Sequence, residues 1–128
     1  MGRKTFETVL TFDGWPFGKQ PVVVLTSTPA AVKVPAGAPC DVMDGTPQAI
    51  VEQLGTRGMK HLYIDGGVTI QGFLAAGLIQ RMIITRIPVL LGSGISLFGH
   101  LARDVELSHV ATRSYASGLV QSEYRVAS

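Results

Sequence analysis

The chain has 128 residues (13.6 kDa), is 46% hydrophobic and only 16% charged, and so can bury one sizeable core; a single domain spanning residues 1–128 is expected. Its formal charge of +2 comes from scattered lysines and arginines that form no basic stripe, which excludes an electrostatic footprint for nucleic acid. The lone Cys40 excludes an intrachain disulfide and a cysteine-based zinc site, and the longest strongly apolar run, residues 82–91, is too short and too interrupted to cross a bilayer, so a cytoplasmic protein without a secretory leader is expected.

Taken in order, residues 3–10 read as a short helix, with Phe6, Val9 and Leu10 sharing one face. Residues 12–20 carry Gly14, Pro16 and Gly18 and read as a loop. The valines and leucine within residues 21–26 predict a strand buried on both faces. A loop over residues 27–39 precedes a short strand at 41–43. Thr46 then suits an N-cap, Pro47 the first helical position, and Ile50, Val51 and Leu54 an inward stripe that Gly55 would end. Residues 61–64 read as a strand running into Asp65-Gly66-Gly67, and residues 69–76 as a helix with Ile70, Phe73 and Leu74 inward. Residues 82–90 form a further strand, at an edge or kinked near Pro88. Residues 105–114 and 119–126 close the chain as an antiparallel hairpin. A mostly parallel sheet with an antiparallel edge is the economical architecture.

Strand, glycine turn and helix at residues 61–76 form the most informative unit. Two glycines there allow a tight turn and close backbone approach, and the helix start offers free N–H groups, so Gly66, Gly67, Val68, Thr69 and Ile70 are candidates for cradling a pyrophosphate. The same dipeptide also serves turns that bind nothing, and the spacing differs from G-x-G-x-x-G. Gly2-Arg3-Lys4-Thr5 places two cations and a hydroxyl at a helix start, and Thr26-Ser27-Thr28 lies at the C-terminal end of a buried strand, where open α/β sheets place ligands. One ligand spanning all three would explain them together. His61, His100 and His109 lack metal-ligand spacing.

Met1-Gly2-Arg3-Lys4-Thr5-Phe6-Glu7, Trp15-Pro16, Val22-Val23-Val24-Leu25-Thr26-Ser27, Tyr63-Ile64-Asp65-Gly66-Gly67 and the stretch from Ile87-Pro88-Val89 through Gly92-Ser93-Gly94 to Phe98 resemble, in order, the signature of dihydrofolate-reductase-like proteins. The closer branch is related to the C-terminal reductase domain of bifunctional riboflavin-biosynthesis proteins. The resemblance implies an α/β, three-layer αβα fold with a mostly parallel central sheet. It implies an NADPH-dependent reductase of a pterin- or pyrimidine-like heterocycle, similar to 5-amino-6-(5-phosphoribosylamino)uracil reductase or to dihydrofolate reductase. Carried over by position, Gly2, Arg3, Lys4 and Thr5 would meet NADP phosphates, with Arg3 on the 2′-phosphate. Leu25, Thr26 and Ser27 would border the adenosine ribose, and Gly66, Gly67, Val68, Thr69 and Ile70 the pyrophosphate. Thr8 and Val9 would face the substrate cleft, with Trp15 and Phe17 at its rim or serving as hydrophobic cover. The loop through Gly92 and Gly94 is assigned to architecture or a subunit contact. Asp65 is read as capping its turn, and no residue is identified as the proton donor.

The family's first strand has no counterpart in this sequence, and its loss would leave neighbouring strands with unpaired backbone groups; a homodimer or higher homo-oligomer is therefore expected. A contrasting reading, a catalytically inactive NADP-binding or structural dimeric protein, predicts at most nucleotide binding without turnover.

Overall fold

A run of valines can be buried on both faces only if something apolar lies above and below it, and β1 (Val22–Leu25) has both. Val22 and Val24 point into one cluster with Phe6, bordered by Met1, Trp15, Phe17 and Val42. Val23 and Leu25 point the other way, onto a second cluster of Met43, Ile50, Leu54 and Phe73. The computed structural model describes residues 1–127. The remaining elements are α1 (Arg3–Val9), a 3-10 turn (Pro29–Ala31), β2 (Cys40–Met43), α2 (Pro47–Thr56), α3 (Gly67–Ala75), β3 (Arg81–Arg86), β4 (Leu107–Ser114) and β5 (Val120–Val126).

The strands form two sheets rather than one. β1 pairs in parallel with β2, from Val22 opposite Cys40 to Leu25 opposite Met43. The other sheet has the order β3-β5-β4 and is antiparallel throughout, with a bulge between His109 and Ala111. The expectation of a mostly parallel central sheet is thereby corrected: among the described residues β1 and β2 are the one parallel pair of strands, and the larger sheet is antiparallel. What the residues do form is a mixed α/β fold.

Local chemistry accounts for most boundaries. The Thr46 hydroxyl accepts a hydrogen bond from the Ala49 N–H at 3.3 Å, satisfying one orphan donor of α2, and Pro47 occupies the first turn. α2 runs through Gly55, contrary to expectation. The left-handed turn falls at Gly58 (φ +82°), and the Gly58 and Met59 N–H groups donate to Gly55 and Leu54 carbonyls as a closing cap. β3 stops at Arg86, ahead of Pro88, which has no N–H to continue a ladder. The C-terminal hairpin lies within two residues of its predicted limits, closed by hydrogen bonds from the Gly118 N–H to the Tyr115 oxygen and from the Tyr115 N–H to the Leu119 oxygen.

Residues 61–64 are the second correction. They belong to no strand, because β-propensity makes a strand only where a neighbouring backbone completes the ladder, and no described residue does so here. Leu62 and Ile64 nevertheless rest on the Met43–Phe73 cluster, while Tyr63 is 92% exposed. Among the described residues no helix is long and apolar enough to cross a membrane.

Candidate functional site

Three chain segments distant in sequence meet at the start of α3. Met1 and Gly2 lie along the free edge of β1: the Met1 amino group donates to the Val23 oxygen at 2.8 Å, the Leu25 N–H donates to the Met1 oxygen at 2.8 Å, and Gly2 forms a parallel bridge with Leu25. Burial pushes the Met1 amine below its usual α-amino range, while the negative charge of Asp65 and the Cys40 thiol oppose that shift.

The glycines show how tightly these segments are joined. A Cβ on Gly2 would stand 2.7 Å from the Thr69 Oγ1, and a Cβ on Gly66 would stand 2.6 Å from the Thr5 Oγ1. The start of α1 and the start of α3 thus interlock, hydroxyl against glycine, in both directions. Gly66 has φ +98° and ψ 130°, a backbone conformation that only glycine adopts without strain.

Around this junction lie groups suited to an anion. Gly66 is the N-cap of α3 and supplies no capping side chain, and the first turn contains no acidic residue. The first intrahelical bond runs from the Ile70 N–H to the Gly66 oxygen, so the N–H groups of Gly67, Val68 and Thr69 have no helical partner. Gly67 and Val68 are exposed, and a Cβ on Gly67 would meet nothing within 4 Å. A negatively charged ligand can therefore approach bare backbone donors at the positive end of a helix dipole.

A second polar group sits at the end of β1. Arg3 Nη1 donates to the Thr28 hydroxyl at 3.1 Å, the Thr28 N–H donates to the Thr26 hydroxyl at 3.1 Å, and the two hydroxyls are 3.3 Å apart. Arg3 Nε also lies 3.5 Å from Glu7, which holds the guanidinium along α1 while leaving it partly exposed. A shallow groove beside it is lined by Arg3, Glu7, Leu10, Val32 and Lys33. Thr28, singled out in the sequence as a strand-end hydroxyl but not carried into the cofactor set, is a direct partner of Arg3. Lys33 had no signal in the sequence, being one cation in a proline-rich loop.

Gly2, Arg3, Thr5, Leu25, Thr26, Gly66 and Thr69 are thus gathered at one place by hydrogen bonds and close contacts. Lys4 and Ser27 are exposed on the same segments, and Ile70 is half-buried one turn into α3. The expected substrate-facing residues fare differently. The Thr8 hydroxyl is turned back onto its own helix, donating to the Lys4 oxygen at 3.0 Å. Val9 is buried, 7% exposed, on the inward face of α1 with Phe6. Trp15 packs edge-on against Phe6 and Phe17, with ring centroids 6.2 and 5.2 Å away, which fits hydrophobic cover over β1; its buried Nε1 has no partner among the described residues. Further along α3, the Gln71 amide donates to the Leu97 oxygen at 3.1 Å and tethers the long loop after β3.

The family model for the RibD C-terminal domain matches residues 5–121. A candidate riboflavin biosynthesis protein from Shewanella sp. PV-4 has a solved structure that superposes with a TM-score of 0.89 at 39% identity, over 100% of this chain and 72% of its own. A pyrimidine reductase-like protein from Corynebacterium diphtheriae NCTC superposes with a TM-score of 0.65 at 22% identity, over 83% of this chain and 50% of its own, which is a likeness of fold. No curated protein matches the chain.

Proposed function

Because the chain belongs to the RibD C-terminal domain family, we propose that it binds NADPH across the junction of α1, β1 and α3 and takes part in reducing a pyrimidine- or pterin-like heterocycle. The observation that carries this reading is the pairing of an uncapped α3 start with the Arg3–Thr28–Thr26 group at the end of β1. Bare N–H groups at one place and a partly exposed guanidinium at another suit a ligand with two separated phosphate groups.

In this reading the Gly67, Val68 and Thr69 N–H groups hold the pyrophosphate. Arg3, supported by Thr28 and positioned by Glu7, holds the 2′-phosphate, and that additional charge selects NADP over NAD. Lys4 and Lys33 add positive charge near the groove, while Leu25, Thr26 and Ser27 border the ribose. The cofactor supplies the hydride; the chain's own residues bind and orient it. The dihydrofolate-reductase-like three-layer arrangement is part of the same proposal, as is a location in the cytoplasm.

The test is fluorescence titration of the 128-residue protein with NADPH and with NADH, with Arg3→Ala alongside. Loss of a charge-assisted contact worth about 1.5–3 kcal/mol weakens NADPH binding by about 10- to 150-fold. NADH binding should be weaker from the start and nearly unchanged by the substitution. Equal affinity for both nucleotides, or no binding of either, overturns the assignment.

A further inference from the structure

The antiparallel sheet has a face that the junction of α1, β1 and α3 does not use. Its register sets Ile83, Glu123 and Ala111 side by side on that face, with Thr85, Gln121 and Arg113 on the next rung. Every residue of β4 is exposed, and Ile83 is 48% exposed. Between the strands lies a cavity of about 110 Å³, open to solvent and lined by Arg81, Ile83, Ala111, Arg113, Gln121 and Glu123.

The two sides of this cavity differ. Toward β3 the polar groups are tied across the sheet: Arg81 Nε donates to Glu123 Oε1 at 2.6 Å, and the Gln121 amide donates to the Thr85 hydroxyl at 3.1 Å. The hydrogen bond from Arg81 holds the Glu123 carboxyl below its usual range against slight desolvation, and the charges of Arg81, Arg113 and Arg125 act in the same direction. Toward β4, Arg113 has no ion-pair partner among the described residues. Arg81 and Glu123 neutralise each other, so the cavity carries one uncompensated positive charge beside the apolar surface of Ile83 and Ala111.

We propose that this cavity is a binding site for a small organic carboxylate, with Arg113 holding the carboxylate and the apolar body resting on Ile83 and Ala111. An unpaired guanidinium offers the planar fork that fits a carboxylate, and a single uncompensated charge matches a monoanion. Arg81 contributes its terminal N–H groups, since its contact with Glu123 is made through Nε. The volume is well under the roughly 300 Å³ at which pockets for drug-sized ligands begin, so the occupant is one charged group on a short apolar body and not a dinucleotide. The walls stand on paired strands and not on a loop, which fixes their spacing before anything binds. None of the lining residues belongs to the nucleotide junction, and the two sites are independent.

The experiment is titration of the 128-residue protein with benzoate, followed by amide chemical shifts. The expected result is saturable shifts at residues 81–83, 111–113 and 121–123 that weaken as ionic strength rises. Arg113→Ala should weaken binding about fivefold or more, and Arg113→Lys, which keeps the charge without the fork, should restore part of it. Glu123→Gln keeps the shape, removes the repelling carboxylate and frees Arg81, so it should tighten binding about threefold. Acetate, which lacks the apolar body, should bind more weakly. Absence of saturable shifts at these residues overturns the proposal, as does equal binding of uncharged benzyl alcohol or indifference to both substitutions at Arg113. Shifts confined to residues 2–5 and 66–70 overturn it by placing the anion at the nucleotide junction. Shifts on this face that appear on concentrating the protein without benzoate overturn it by making the face a contact between copies.

Discussion

Replacing Gly66 with alanine tests the interlock of α1 and α3 directly. The native backbone there has φ +98°, and an alanine Cβ would arrive 2.6 Å from the Thr5 Oγ1 and 3.5 Å from the Thr5 Cβ. The first effect, an L-residue in a conformation it resists, costs about 1–2 kcal/mol. The second, an overpacked contact with one hydroxyl, adds about 1–2 kcal/mol. Together they lower stability by about 3 kcal/mol, which for a chain of this size corresponds to a fall in Tm of roughly 10 °C. The two parts separate in a double-mutant cycle read by thermal or urea unfolding. In a Thr5→Ala background the hydroxyl is gone and the same change should cost about 1–2 kcal/mol. In Thr5→Val a methyl group stands where the hydroxyl stood, and the full cost should return. An equal cost in all three backgrounds would show that Thr5 does not press on Gly66, and a cost below about 1 kcal/mol would refute the strained backbone as well.

Thr46→Ala removes the N-cap of α2 and should lower unfolding stability by about 1 kcal/mol, measured by urea denaturation. The Arg57 guanidinium hydrogen-bonded to Asp41 holds that carboxyl below its usual range, more than offsetting its slight desolvation. The stability this confers is present at neutral pH and is lost as pH falls through the lowered folded-state pKa; both groups are well exposed, so Arg57→Ala should cost at most about 1 kcal/mol at pH 7 and converge with wild type in acid, followed by Tm against pH. Trp15→Phe removes a buried N–H that lacks a partner, so relief of that cost offsets lost ring area and the net change should stay within about 1 kcal/mol, whereas Phe6→Ala, at a position 1% exposed, should cost about 3–5 kcal/mol by the same assay.

The candidate site was legible in part because its signals are local. Gly66-Gly67 after an apolar stretch, Arg3 at a helix start and Thr26 at a strand end each announce themselves within a few residues. What no local pattern contains is that Gly2 touches Thr69 and Gly66 touches Thr5, since those contacts depend on how two helices approach. Lys33 likewise enters the Arg3 groove through the path of a loop. Val9 carried two readings: the resemblance set it toward a substrate cleft, and the helical spacing put it beside Phe6 on the inward face, where the structure has it.

The sequence by itself determined the helices, the caps at Thr46 and Pro47, the two-sided burial of β1 and the C-terminal hairpin, because each rests on interactions between residues close along the chain or on an alternation of period two. Tertiary structure alone decided how the strands are partnered outside that hairpin. Residues 61–64 carry the composition of a strand and remain outside both sheets, and β3 joins β5 rather than any element before it. A ladder is made by two backbones, and the hydrophobic pattern of one of them does not name the other.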